Sequence, residues 1–482
     1  MKLYMKILVF AAVIAMLLSV VGCGQDDTNS GAGKQNDGLP QVTLENKKVV
    51  LYCGLGQSLE AMHSEDKEKP QPLDIFEQNY GGELELVTVD WNEYYTKLLA
   101  KFLADDMPDV LWPMPETFPK DIISNLIQPF DDYKDYIDLD SKIWDDTRLY
   151  NEQLEINSKH YYAIQSFSQP DMVAYNPKVF ELYDVEKPYD IFMNNRDEWT
   201  WDKLLELAKQ LKADTNNDGV VDQWGLAIGS NGPHAFQETT GVPFVEYDKS
   251  KGVTNNFMSP VIAEAANYVR DLGSTKHNVL DPIESYNAYK DFLAGKTVMI
   301  VDVLWRITGD YQQLWADGKI EVAPMPRYPK TDKFYRGGYL FGFLLANKAK
   351  NPEGGALFIT CYKYVGSEGY KEKYVGTKTE DQYKWYTDKG IPVNQAELMQ
   401  ACLNNFEQFP ITMNIWLGWY DKGWYNGFID LQNEPWSKIA ARYYPITEKN
   451  IKKNTEKLNQ ILNAGDSSSA VESGVAGESS GS

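Results

Sequence analysis

Two short apolar runs separated by an amphipathic stretch constrain this chain most. Lys48-Val49-Val50-Leu51-Tyr52-Cys53 ends at Gly54-Leu55-Gly56-Gln57 and reads as a buried strand. Leu84 to Val89 is a second strand. Trp91, Tyr95, Leu98, Leu99, Phe102 and Leu103 then recur at spacings of 4, 3, 1, 3 and 1, which places them on one helical face. Pro108 stops that helix, and Asp109-Val110-Leu111-Trp112 is a third strand. Strands joined through helices imply parallel pairing and an α/β sheet. After Tyr161 the order repeats. Met172 to Tyr175 reads as a strand, Trp201 to Leu211 as a helix, and Ser285 to Ala294 as a helix ended by Gly295. Thr297 to Val303 is the most apolar strand, Val322 to Pro326 and Leu340 to Ala346 are further strands, and Glu353–Val365 and Thr447–Leu462 are helices. Residues 47–464 outrun the ~250–300 residues at which a single core stops growing, so two lobes are expected.

The N-terminus carries an address. Lys2 and Lys6 precede an apolar run from Ile7 to Val21, shorter than the ~20 residues of a comfortable membrane span. It fits a secretory signal over residues 1–22. Val20-Val21-Gly22-Cys23 resembles a bacterial lipobox, which implies a lipidated Cys23 and attachment to the extracytoplasmic face of the cell membrane. Residues 24–46 read as a flexible polar tether and 465–482, rich in Gly, Ser and Ala, as a disordered tail.

With 69 acidic against 47 basic residues the formal charge is −22, which argues against nucleic acid. If Cys23 is lipidated, Cys53, Cys361 and Cys402 remain, too few and too scattered for a disulfide framework. His63, His160, His234 and His277 show no metal-ligand spacing. The 13 Trp and 31 Tyr suit a ligand with apolar faces and polar edges, such as a sugar.

Four landmarks, taken in order, resemble the family 1 extracellular solute-binding proteins of ABC importers. They are Trp91-Asn92-Glu93-Tyr94-Tyr95 with Met107-Pro108-Asp109-Val110; Tyr161-Tyr162-Ala163-Ile164 leading to Ala174-Tyr175-Asn176-Pro177-Lys178-Val179-Phe180; Phe292-Leu293-Ala294-Gly295-Lys296-Thr297-Val298-Met299; and Gly337-Gly338-Tyr339 with Lys350-Asn351-Pro352-Glu353. Met107 stands where the family pattern has glycine. The resemblance implies a two-lobed α/β fold of the periplasmic-binding-protein type (type II), with ligand in the interlobe cleft. Lobe 1 is expected to hold 47–162 and about 303–345, and lobe 2 163–302 and about 346–464. The implied function is capture of a carbohydrate, an oligosaccharide or glycan fragment, and its delivery to a membrane permease by a monomeric binding protein.

Ligands of open α/β sheets sit beyond the carboxyl ends of strands. Residues there are Gln57, Trp112, Glu116, Tyr175, Asn176, Trp305 and Arg306, and Tyr339 joins them from the fourth landmark. Aromatic faces can carry the C–H face of a pyranose, and Gln, Asn, Glu and Arg can meet its hydroxyls. For any one of these tryptophans core packing is the alternative. Trp416 to Tyr420 and Trp424 to Phe428 form a second aromatic stretch, cut by Gly418, Gly423 and Gly427, from which Trp416 and Trp419 are candidate contacts.

Asp214, Asn216, Asp218, Gly219, Val220 and Asp222 occupy positions 1, 3, 5, 6, 7 and 9 of a calcium loop. Position 12, normally a bidentate Glu, is Gly225, and Gln223 is expected to supply a ligand instead. A structural Ca2+ is expected; a polar turn without an ion is the alternative. Gly295-Lys296-Thr297 lacks the rest of a Walker loop, Gly54-Leu55-Gly56 lacks the third glycine of a dinucleotide site, and no nucleophile elbow or His-Glu-x-x-His occurs. The chain is therefore read as a binding protein and not an enzyme. The rival readings are a peptide or polyamine as solute, a polysaccharide-active enzyme, and a surface adhesin or sensor partner.

Overall fold

The computed structural model describes residues 38–474, apart from 55, 114–117, 169, 230–231, 283–286, 338, 377–381, 406 and 414–433, with the backbone alone at 168, 232–233, 339 and 462–474. In chain order the strands are β1 (Lys48–Gly54), β2 (Glu83–Val89), β3 (Val110–Leu111), β4 (Ile127–Gln128), β5 (Ala163–Ser168), β6 (Asp171–Tyr175), β7 (Trp224–Ile228), β8 (Val245–Asp248), β9 (Gly252–Asn255), β10 (Thr297–Val303), β11 (Glu321–Pro324) and β12 (Tyr339–Ala346). The first sheet runs β2-β1-β3-β12-β4, with β5 also paired to β12. The second runs β11-β6-β10-β7, and β8 and β9 form a separate hairpin.

Each sheet explains itself from its side chains. Along β1 the side chains alternate: Leu51 joins one buried cluster, with Val49, Val110, Phe343 and Leu345, and Tyr52 joins the other, with Leu111 and Leu344. Helices Pro72–Tyr80 and Pro352–Tyr364 cover the first face. Tyr94 and Leu98 of the helix Tyr94–Leu103 lie in the cluster on the second. All seven residues of β10 are buried, as a central strand between two neighbours requires.

Several expectations need correction. Pairing is mixed: β1 is parallel to β2 and β3, but β12 is antiparallel to β3, β4 and β5, and β6 is antiparallel to β10 and β11. β5 and β6 are separated by only two residues and lie in different sheets, so no helical crossover joins strands of one sheet at that point. The lobe boundaries shift as well. β11 belongs to the second sheet, and β12 and the helix Pro352–Tyr364 to the first, so the stretch 303–345 is divided and the chain leaves lobe 1 only after that helix.

Leu99 and Leu103 are exposed, at 39% and 78%, because only the stripe through Tyr94 and Leu98 meets the core. The tether ends sooner than its composition suggests. Leu39 and Leu44 are buried with Ile143 and Trp144, the Tyr80 hydroxyl donates to the Pro40 carbonyl (2.9 Å), and the Asn351 amide to that of Asn46 (2.9 Å). The last helix, Trp436–Gly474, starts before Thr447 and runs beyond Gly465, past the expected start of a disordered tail.

Candidate ligand-binding site

Trp305 is the second residue of a short helix, Leu304–Thr308, that begins where β10 ends. Its side chain is 45% exposed, which is unusual for an indole directly after a fully buried strand. Arg306 beside it is buried, with its guanidinium carbon 5.0 Å from the Trp305 ring centroid and 4.5 Å from that of Tyr289. Nε of Arg306 lies 3.7 Å from carboxylate oxygens of both Asp302 and Asp310, beyond hydrogen-bond reach. Among the described residues Nε and Nη1 have no hydrogen-bond partner. The guanidinium therefore braces Trp305 through its flat face and keeps donors to spare.

The floor beneath is acidic. Asp302 is fully buried; it accepts from the Tyr311 hydroxyl (2.6 Å) and from the Val303 amide (2.9 Å). Burial raises its carboxyl above the ordinary range despite those bonds. Gly229, just past β7, has to be glycine, since a Cβ there would sit 2.5 Å from an Asp302 oxygen. Asp171, paired with Val303 in the sheet, opens β6 immediately after the first segment that crosses between the two sheets, from β5 to β6, whose Pro170 carbonyl accepts from the Leu304 amide (3.1 Å). Glu238 packs on the second crossing segment, which runs from β11 back to β12: a Cβ on Gly337 would fall 1.4 Å from its Oε2.

Burial, then the charges of Glu238 and Asp302, push the Asp171 carboxyl well above 3.8. Among the described residues its Oδ1 has no hydrogen-bond partner. The sign of the consequence follows from proton counting. The folded chain keeps a proton on Asp171 where the unfolded chain has lost it, so stability should fall as pH rises from about 3.8 through the raised value. Asp171→Asn should remove that loss. Thermal melts of both proteins across acidic to neutral pH check this; parallel pH curves would overturn it.

The predicted residues do not all converge. Tyr175 and Asn176 lie at the opposite end of the second sheet from Trp305, because β6 runs antiparallel to β10 and its carboxyl end meets the start of that strand. Tyr175 is fully buried and donates to Glu321 Oε2 (2.6 Å). Asn176 caps the helix Pro177–Leu182 by accepting from the Lys178 amide (3.1 Å), and it borders a small cavity of about 220 Å³ with Phe292, Gly295 and Leu314. Trp112 follows β3 as expected, half-buried against Phe341 (4.5 Å) and Phe343 (5.6 Å) of β12. Gln57 is half-buried in the loop after β1. Tyr339 opens β12 opposite Ser168. Glu116, Trp416, Trp419 and Trp424 lie outside the described residues, as does Cys23.

Sequence reasoning passed over Asp171, Asp302, Glu238 and Tyr289, which carry no motif. It also set Trp91 on an inward helical face. The structure lays the Trp91 ring across the Gly54 backbone at the carboxyl end of β1, where a Cβ would come within 2.1 Å of it. The glycine directly after a buried strand was the available signal.

In the calcium-type loop, Asp214 accepts from the amides of Asp218 (3.2 Å) and Gly219 (2.7 Å), Asn216 from Asp218 (2.9 Å), and Asp218 from Val220 (2.8 Å). Left-handed backbone at Asn217 and Gly219 makes the turn. The Thr215 amide donates to Asp222 Oδ1 (2.8 Å), and the Gln223 amide nitrogen donates to the Leu211 carbonyl (2.6 Å). Among the described residues no three His, Cys, Asp or Glu side chains gather as a metal-holding group. Gly225 cannot be the usual Glu: it lies in β7, where a Cβ would sit 1.9 Å from the Ala208 carbonyl oxygen.

Two α/β lobes linked by crossing segments, with an exposed tryptophan braced beside the first of them, define a two-lobed binding protein. Residues 57–372 match the bacterial extracellular solute-binding protein family, and the chain belongs to it. No curated protein matches the sequence. Solved structures share the fold at low identity. An ABC substrate-binding protein from Listeria monocytogenes in complex with cycloalternan is 17% identical, with a TM-score of 0.59 over 85% of this chain and 99% of that one. UspC of M. tuberculosis is 15% identical, with a TM-score of 0.57 over 83% and 100%. A maltose/maltodextrin-binding domain from Bdellovibrio bacteriovorus bound to maltotriose is 16% identical, with a TM-score of 0.51 over 86% and 100%.

Proposed function

We propose that this protein captures an oligosaccharide in the cleft between its lobes and delivers it to an ABC permease, as a monomer held to the outer face of the membrane through Cys23. The observation that carries the sugar is Trp305: an exposed indole, stiffened by Arg306, at the end of β10 and next to a crossing segment. Sugar rings stack on such faces. The ligands of the Listeria and Bdellovibrio relatives support a glycan. Lobe closure by hinge motion at the crossing segments would present the loaded form to the permease. A thermal-shift screen against a glycan library tests the reading, because a ligand that binds only the native state raises the melting temperature. No shift with any glycan would overturn it. The buried Asp171 and Asp302 and the half-buried Glu238, with the net charge of −22, favour a second reading, a cationic solute such as a polyamine. Spermidine in the same screen separates the two.

The loop from Asp214 to Gln223 is proposed to hold one structural Ca2+, through side-chain oxygens of Asp214, Asn216, Asp218 and Asp222, the Val220 carbonyl and the remaining oxygen of Gln223. With no bidentate Glu, affinity is expected to be modest. Calcium at a hundredfold excess over its Kd contributes about 2.7 kcal/mol to stability. Chelation should lower the melting temperature, and Asp218→Ala should abolish the difference. Identical melting with and without chelator, and no metal by elemental analysis, would overturn the site.

A further inference from the structure

Trp385 stands 56% exposed on the helix Lys384–Thr387 and is nonetheless held in place. The next residue, Tyr386, is buried and accepts from the Gln400 amide (3.0 Å). Its ring meets Trp385 edge-on, 4.8 Å away at 86°. Lys389 secures the indole from one turn further along. Its Nζ lies 4.3 Å from the Trp385 ring centroid and donates to the Thr308 carbonyl (3.5 Å). Thr308 is the last residue of the helix that carries Trp305, and a cation is favourable at a helix carboxyl terminus. Gly390, with φ +80°, turns the chain away against Trp315 and Ala316.

One ammonium therefore stacks on one exposed tryptophan and bonds to the helix of the other. Trp305 and Thr308 are three residues apart, just under one helical turn, or about 5 Å along the axis. Lys389 thus ties Trp385 to the helix that carries Trp305, and each indole is paired with a cation that fixes its orientation. A pre-oriented aromatic loses little freedom when a ligand lands on it.

We propose that Trp385 is a second aromatic contact for a multi-ring, neutral oligosaccharide whose nearer ring rests on Trp305, with Lys389 donating to hydroxyls between them. This rests on the carbohydrate reading above. It adds a length requirement: a short sugar reaches Trp305 alone, a longer one reaches both.

The test is calorimetry of the full chain with linear malto-, cello-, manno- and xylo-oligosaccharides, from disaccharide to hexasaccharide. Trp385→Ala should leave disaccharide affinity unchanged and weaken the longer members by about tenfold. Trp385→Tyr should retain most of their affinity, and melting temperatures should stay close to wild type because the side chain is exposed. A loss equal at every length, or no loss at any, overturns the second contact and leaves the carbohydrate reading standing. Failure of the wild-type protein to bind any member of any series overturns that reading and this inference with it.

Discussion

Replacing Cys23 with Ser is expected to move nearly all of the protein from the membrane fraction to the medium. In the proposed anchor the thiol is the attachment point, because the lipid would be joined as a thioether and serine cannot form one. Acyl chains bury methylenes worth about 0.8 kcal/mol each, so two chains anchor stably where one is marginal. No described helix is long and apolar enough to cross a membrane. Fractionation followed by immunoblotting reads the outcome, and mass spectrometry of the mature N-terminus checks the lipid. Unchanged membrane abundance in the variant would end the anchor proposal.

Trp305→Ala is expected to weaken binding of the glycan found by the screen by roughly five- to two-hundredfold, the equivalent of about 1–3 kcal/mol for a lost aromatic contact. Two losses combine: the stacking surface disappears, and Arg306 loses one of the two rings that hold its guanidinium. Stability should change little, since the side chain is nearly half exposed. Calorimetry with a parallel melt separates these effects. Full affinity with a normal melt would place Trp305 on an outer surface and move the search to Trp416 and Trp419. A lowered melting temperature together with weak binding would mean that the residue supports the fold, and Arg306→Lys would then test whether the stack or the charge is responsible.

The strands were largely legible because burial leaves a local record. β1, β10 and β12 are apolar runs bounded by glycine or polar residues, β2 alternates along a half-buried strand, and each forms within a residue or two of where its pattern places it. Gly295 ends its helix in the left-handed conformation, as a glycine at that spacing should. The helix Tyr94–Leu103 shows the limit of periodicity. Its apolar residues spread over a wider arc than the sheet can cover, and only contact with that sheet leaves Leu99 and Leu103 in water.

The proposed site was legible only where it followed directly from a strand whose direction was right. Trp305 follows β10, at the carboxyl end where the rule for α/β sheets looks for ligand contacts. The same rule leads Tyr175 and Asn176 to the opposite end of the second sheet, since nothing in their sequence records that β6 lies antiparallel to β10. The motif at 214–223 did make the turn its spacing implies, yet the absence of Glu at position 12 had a tertiary cause, the Ala208 carbonyl packed against Gly225. By itself the sequence determined the family, through the resemblance of four ordered landmarks, and the α/β class, two lobes and the principal strands, through chain length and periodicity within a few residues. Strand direction in the second sheet, the packing of Arg306 between Trp305 and Tyr289, the meeting of Asp171 with Asp302 and Glu238, and the tie from Lys389 to Thr308 were decided by the tertiary structure alone. Each of them joins residues from separate elements, and a contact of that kind leaves no periodic trace in the chain.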